Sequence, residues 1–220
     1  MKTQALLANS TILFGVISIL CLLTLHLVSS EIKPNFRMVS EYAYGNHKWL
    51  LTLFFISWGL CSITSSLLLW NIVTTNWAKF GVLLVFVSGT GAIMGGLFDI
   101  HHKLHGLSFG IGVPFLPIAA LIITYHLLKN VEWQSNSTLL LISTHSLWIS
   151  IILMAVTMMV FFSGLKSAGI AFGPNLPPIT EAPDGVVAIN GWFNRLLVLC
   201  YLAYPILLAK TVLSIIELKK

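Results

Sequence analysis

Six long apolar runs constrain the fold of this chain more than any other feature of its sequence. Each run has about 20 residues or more and carries charged residues only near its ends, which suits a helix that crosses the hydrocarbon layer of a membrane. The composition agrees, because 57% of the 220 residues are hydrophobic and only 9% are charged. The sequence therefore predicts an all-α integral membrane bundle of six transmembrane helices, forming one domain over residues 1–220. The approximate spans are 5–29, 49–72, 78–99, 107–128, 138–163 and 191–214.

The even number of spans places both termini on one side of the membrane. The connections after the first, third and fifth spans lie on the opposite side, which we call the odd side. Six Lys and Arg residues fall on each side, so the positive-inside rule does not orient the chain. Because the odd-side connections are longer and chemically richer, we favour termini in the cytoplasm.

The charges exclude one class of function, and the cysteines indicate packing rather than chemistry. The formal net charge of +5 comes from Lys and Arg residues scattered near the span ends, without the basic runs and interleaved aromatic residues that nucleic-acid binding needs. We therefore expect no nucleic-acid partner. Cys21, Cys61 and Cys200 lie inside spans, where thiols act as small apolar side chains rather than as disulfide or metal partners.

The third span ends in a stretch that combines packing residues with a carboxylate. Gly91 and Gly95, and likewise Ala92 and Gly96, repeat small residues at four-residue spacing, which lets another helix approach closely. Asp99 closes this span, and an ionised carboxylate at the edge of the hydrocarbon needs a partner. The candidates are Arg195 and the adjacent histidines. An Asp99–Arg195 pair would be either a structural ion pair or part of a functional site.

Three histidines, His101, His102 and His105, occupy the turn that follows Asp99. Imidazole and carboxylate groups suit Zn²⁺, and a catalytic zinc site needs three protein ligands and an open position. Asp99, two of these histidines and a third ligand such as His26 or His47 would supply them. The alternative is that these histidines are hydrogen-bonded surface residues at the membrane interface.

Two odd-side connections carry further candidates. In the first, Ser40 and Glu41 either form a helix-entry turn or bring a hydroxyl and a carboxylate toward Asp99. In the last, residues 164–191 form a long irregular connection that contains many apolar residues, and four prolines exclude a continuous helix there. This segment either folds over the helix ends as a cap or is a flexible surface loop. The prolines are Pro174, Pro177, Pro178 and Pro183.

Three motifs together resemble a known family. They are "SEYAYG" at residues 40–45, "LFDIHHKLHG" at 97–106 and "GWFNRLL" at 191–197. They resemble the bacterial and archaeal six-helix membrane proteins catalogued as domain of unknown function 998, which are similar to the Frag1, DRAM and PGAP2 group. The residues that carry the resemblance are Ser40, Glu41, Asp99, His105 with Gly106, and Arg195, whereas His101 and His102 are extra to the pattern. The resemblance implies a prokaryotic cell membrane and, through eukaryotic relatives in lipid-anchor remodelling, lipid as the ligand class.

Two hypotheses for the function follow. In the first, the odd side holds one polar pocket, covered by residues 164–190, that binds a lipid or another amphiphile; an enzymatic version of this hypothesis adds hydrolysis or transfer of a group on the bound molecule. His105 would be the general base or a metal ligand, Asp99 would orient it, and Arg195 would hold an anionic group beside Ser40, Glu41 and Asn194. In the second, the chain is a small transporter or an accessory subunit, and the Asp, His and Arg residues form a structural or proton-coupled network.

Overall fold

Six helices long and apolar enough to span a membrane confirm the predicted fold class. The computed structural model describes residues 2–173, 176 and 178–219, and these residues include no strand. Pro174 and Pro177 lie outside the described residues. The helices are α1 (Lys2–Val28), α2 (Lys48–Trp70), α3 (Asn76–Leu97), α4 (His105–Leu127), α5 (Ser137–Ser167) and α6 (Asn190–Leu218).

The helices differ from the predicted spans mainly at their ends. α5 continues to Ser167 and α6 to Leu218, about one turn beyond the predicted ends, because a helix need not stop where the hydrocarbon does. α3 ends at Leu97, so Asp99 lies in the following turn rather than inside the helix. Short 3-10 helices occupy Val39–Tyr44 on the odd side and Val131–Asn136 on the terminal side.

The outward surface of the bundle is apolar, as lipid contact requires. On α1, for example, Leu6, Leu13, Leu20 and Leu27 are each more than half exposed. Such a face would be unfavourable in water and is stable against acyl chains. Together with the length and hydropathy of the six helices, it makes this chain an integral membrane protein.

The helices pack in chain order, and α6 closes the bundle by packing against α1 and α2. The predicted small-residue stripe is where α3 meets α4. The backbones of Gly91 and Gly112 approach so closely that a side chain on Gly91 would collide with Gly112, and the Ser88 hydroxyl donates to the Gly112 carbonyl at 2.5 Å. Glycine allows this contact because it has no Cβ.

Two of the three odd-side connections pack on the helix ends. Residues 29–47 join α1 to α2, and Gly191 at the start of α6 lies directly against the backbone of residues 34–37. The connection between α5 and α6 folds inward through Ile170, Ile179 and Val186, which pack near Phe36 and Phe161. The described part of this connection therefore acts as the cap that its apolar residues predict.

Candidate functional site

Arg195 joins three parts of the odd side. Its side chain is buried in α6, where Nε donates to Nε2 of His26 at 2.7 Å and Nη1 donates to the Arg37 carbonyl at 2.6 Å. Nη1 also donates to the Gly191 carbonyl at 3.0 Å, and Nη2 donates to the Tyr42 hydroxyl at 3.2 Å. These bonds use four of the five guanidinium N–H groups. Arg195 therefore ties α6 to α1 and to the α1–α2 connection.

His26 is held in one tautomer by its two neighbours. Its Nδ1 lies 2.6 Å from the Leu22 carbonyl, which is an acceptor only, so Nδ1 carries the hydrogen. Its Nε2 accepts from Arg195 and therefore carries none. The imidazole is neutral, and Arg195 receives no compensating negative charge from it.

Asp99 does not contact Arg195 as the sequence suggested. Its Oδ2 forms an ion pair with Lys48 at the start of α2, and its Oδ1 accepts from the backbone N–H of His101 at 3.0 Å. Lys48 holds the pKa of Asp99 below its usual range. Because α3 ends before Asp99, the carboxylate faces the neighbouring helix end instead of the bundle interior. Of the partners that the sequence left open for Asp99, Arg195 is therefore wrong, and the ionic partner is Lys48.

The three turn histidines point to separate partners. His101 meets the Tyr44 ring edge to face at 4.8 Å, His102 stacks on Phe98 at 4.6 Å, and Nδ1 of His105 bonds to the Phe98 carbonyl at 2.9 Å. Among the described residues, no three His, Cys, Asp or Glu side chains lie close enough to hold a metal ion. The turn thus does not assemble the zinc ligand set that the sequence suggested. The two other histidines are also engaged elsewhere, His26 by Arg195 and His47 by Ser29.

A small cavity of 80 Å³ brings together three of the expected site residues, Ser40, His105 and Asn194. Asn194 has a structural contact, because its Oδ1 accepts from the backbone N–H of Val39 at 2.9 Å. His105 donates through Nδ1 to the Phe98 carbonyl, which leaves Nε2 as the basic nitrogen. The remaining walls are mostly apolar residues, including Phe55 and Trp58.

A second, larger cavity of 650 Å³ lies beneath the α5–α6 connection. Glu41 and Arg37 line one part of it. Elsewhere its walls are apolar and include Phe36, Phe161 and Phe172. Met38 lines both cavities. The single polar pocket expected from the sequence is therefore divided in two, and Asp99 and Arg195 line neither cavity.

The charged part of the larger cavity is an ion pair between Arg37 and Glu41, which are four residues apart in the sequence. Arg37 Nε lies 2.8 Å from Glu41 Oε1, and Arg37 Nη1 donates to the Ile179 carbonyl of the cap at 2.7 Å. The other carboxylate oxygen of Glu41 accepts from the Met38 backbone N–H at 2.5 Å. Burial raises the pKa of Glu41, while Arg37, the Met38 N–H and Arg195 act in the opposite direction.

Asn190 adds an unused acceptor to this cavity. It is the first residue of α6 and is 2% exposed. Its Nδ2 donates to the Phe36 carbonyl at 2.8 Å, but no described residue donates to its buried Oδ1. An unpartnered buried acceptor is costly, and Asn190 carries one within the cavity wall.

Sequence reasoning missed Arg37 and Asn190 as site residues. In the sequence, Arg37 is one of several charged residues of alternating sign between the first two spans. Its four-residue spacing from Glu41 is the signal that would have paired the two side chains. Asn190 has no local signal, because its position depends on how the first residue of α6 meets Phe36, 154 positions earlier in the chain.

The comparisons with known proteins yield one match. The model of the family described as protein of unknown function, DUF998, matches residues 12–211. This range includes the whole of α2 to α5 and most of α1 and α6. No curated protein and no solved structure matches the chain.

Proposed function

The chain belongs to the DUF998 family, and we propose that this member binds a lipid or another amphiphile on the odd side of its bundle. The larger cavity is the binding site in this proposal. The smaller cavity beside it, with His105 and Ser40 in its walls, is the place for any chemistry on the bound molecule.

The proposal depends on one observation: one part of the larger cavity is polar and charged, whereas the other part is apolar. Its volume of 650 Å³ lies in the range of small-molecule sites, about 300–1,000 Å³. Arg37, Glu41 and Asn190 offer charge and hydrogen bonds in one part, whereas Phe161 and Phe162 at the end of α5 offer apolar surface. An amphiphile matches both parts, with its polar head on the first and its chain on the second.

The position of the cavity also suits a molecule that comes from the bilayer. Phe162 and Phe172 line the cavity and are partly exposed, 36% and 43% respectively, so apolar surface continues from the cavity to the outside of the bundle. We place the chain in a prokaryotic cell membrane with its termini in the cytoplasm. The cavity then opens at the outer face of that membrane.

The individual site residues have different roles in this proposal. Glu41 acts with Arg37 on the polar head of the ligand, and Arg195 supports that pair from behind. Ser40 and Asn194 contribute to the smaller cavity. In a catalytic version, His105 is the general base through Nε2, since Nδ1 is held by a carbonyl, and Asp99 keeps the turn in place through Lys48.

Native mass spectrometry tests for bound amphiphile. We expect wild-type protein, extracted from membranes in a mild neutral detergent, to retain one amphiphile per chain. Ile179→Trp should reduce the bound fraction by at least about tenfold, because Ile179 lines the cavity and a larger side chain would fill it. The matched control is Ile152→Trp on α5, which changes a residue 57% exposed on the outer surface of the bundle.

Equal retention in the two tryptophan variants would contradict the cavity as the binding site. Wild-type protein that carries no amphiphile, and acquires none from added lipid, would contradict the proposal as a whole. Catalysis is measured separately, by following hydrolysis of the retained lipid. His105→Ala should stop turnover while binding persists, and unchanged turnover would remove His105 from the chemistry.

A further inference from the structure

The buried charges beside the larger cavity do not balance. Arg37 is 3% exposed and Arg195 is 4% exposed, and both guanidinium groups remain charged in a protein. Among the described residues, Glu41 is the one carboxylate beside these two guanidinium groups. The cluster formed by Arg37, Glu41 and Arg195 therefore carries one positive charge in excess even when Glu41 is fully ionised.

The other groups around the cluster do not remove this excess. His26 is neutral because its Nε2 accepts from Arg195, and the Tyr42 hydroxyl likewise accepts from it. Lys33 and Glu181 pair with each other at 3.6 Å and are largely exposed. Lys48 and Asp99 pair with each other elsewhere on the odd side. α5 presents only phenylalanines to this cavity, Phe161 and Phe162.

The start of α6 is a further feature that favours a negative charge in the cavity. α6 begins at Asn190, which lines the cavity, and the first turn of α6 contains no acidic residue. The N-terminal end of a long helix carries partial positive charge and attracts anions. In addition, an excess charge in a buried cluster is expensive unless a counter-charge is present.

From this charge balance we infer that the molecule bound in the larger cavity is an anionic amphiphile, with its negatively charged head against Arg37. This inference rests on the amphiphile-binding function proposed above and specifies the class of ligand. The shared chemistry is one negative charge on an acyl chain, either the carboxylate of a fatty acid or the phosphodiester of an acidic phospholipid.

The apolar walls distinguish this ligand from a simple inorganic anion. Phosphate or chloride would satisfy Arg37 but would leave Phe161, Phe162 and Phe172 facing the rest of a 650 Å³ cavity. Burial of an acyl chain against these rings adds favourable free energy in proportion to the apolar area removed from water. We therefore expect the acyl chain and the negative charge of the ligand both to contribute to the free energy of binding.

Binding of four probes with acyl chains of equal length tests the inference. They are palmitate, palmitoyl lysophosphatidylglycerol, zwitterionic palmitoyl lysophosphatidylcholine and uncharged monopalmitin, each titrated into the full chain in maltoside at an alkaline pH at which the fatty acid is ionised. Inorganic phosphate is the fifth probe. We expect at least one anionic amphiphile to bind about 10- to 100-fold more tightly than monopalmitin, as a charged hydrogen bond in a buried site would give.

Two substitutions should shift this preference in opposite directions. Arg37→Gln lowers the charge of the cluster from +1 to zero and should abolish the preference for anions. Glu41→Gln raises the charge from +1 to +2 and should strengthen it. Damage to the fold would weaken binding in both variants, so opposite signs separate charge from structure. Lys103→Gln is the matched control, because Lys103 is an exposed odd-side cation outside the cavity.

Each outcome has a definite meaning. Preference for palmitate or for the lysophosphatidylglycerol supports the inference and identifies the source of the anion. Equal binding of all four amphiphiles, or a shift in the same direction in Arg37→Gln and Glu41→Gln, overturns the inference while amphiphile binding stands. If phosphate binds as tightly as the amphiphiles, the acyl chain has no role in binding. Absence of binding by every amphiphile overturns the proposed function as well.

Discussion

The most demanding stability prediction concerns Arg195→Lys. In the native structure three of the bonds from Arg195 reach other parts of the fold, at His26, the Arg37 carbonyl and Tyr42. A lysine ammonium keeps the charge but lacks the planar fork, so it can replace only part of this set. Loss of two charged hydrogen bonds, each worth about 1.5–3 kcal/mol, is partly offset by local rearrangement. We expect a loss of about 3 kcal/mol in the free energy of unfolding.

Equilibrium unfolding in mixed micelles of dodecyl sulfate and maltoside, followed by circular dichroism, measures this loss. The matched control is Lys210→Gln on the same helix, where an exposed cation is removed and the change should stay within about 0.5 kcal/mol. A loss below about 1 kcal/mol for Arg195→Lys would refute the reasoning, because Arg195 would then not hold α1, α6 and the α1–α2 connection together.

Three further predictions follow from contacts on the odd side. Gly191→Ala should cost about 1–3 kcal/mol of stability, because the new Cβ would lie 2.7 Å from the Arg37 carbonyl oxygen. The control is Gly106→Ala, where no atom lies within 4 Å of the new Cβ, and an equal cost in the two variants would contradict the prediction. Folding lowers the pKa of Asp99, so the pair with Lys48 should stabilise the protein at neutral pH and lose that effect below about pH 4; Asp99→Asn should flatten the acid limb of a stability–pH curve, and an unchanged limb would exclude the pair as its source. Burial raises the pKa of Glu41. As the pH falls through that raised pKa the cluster gains positive charge, so binding of an alkyl sulfonate, which stays ionised, should tighten. Glu41→Gln should remove this pH dependence, and its persistence in the variant would point to another group.

The sequence predicts the helices well because membrane insertion is a local requirement. Each of the six runs must be apolar over its own length, so the pattern is visible without knowledge of the neighbours. The glycines of α3 are likewise informative, since close helix packing in a membrane depends on small residues. Extra turns such as Gly164–Ser167 in α5 lie beyond the required length and carry no comparable signal.

The site is harder to predict because its members meet through the tertiary fold. Asp99 and Arg195 are the natural ionic partners by hydropathy, yet α3 ends two residues before Asp99, and Lys48 at the adjacent helix end takes the carboxylate. Arg37 joins the cavity because the cap supplies the Ile179 carbonyl, 142 positions away in the chain. Periodicity and composition do not encode such pairings.

A high-resolution structure of the full chain in a nanodisc of native lipid would show whether the larger cavity holds an anionic amphiphile. We expect continuous density that begins at the Arg37 guanidinium, passes Asn190 and extends along Phe161 and Phe162. Metal analysis of the same sample would test the zinc ligands suggested by the sequence. A cavity collapsed around Arg37, or lipid density confined to the outer faces of the helices, would contradict the account.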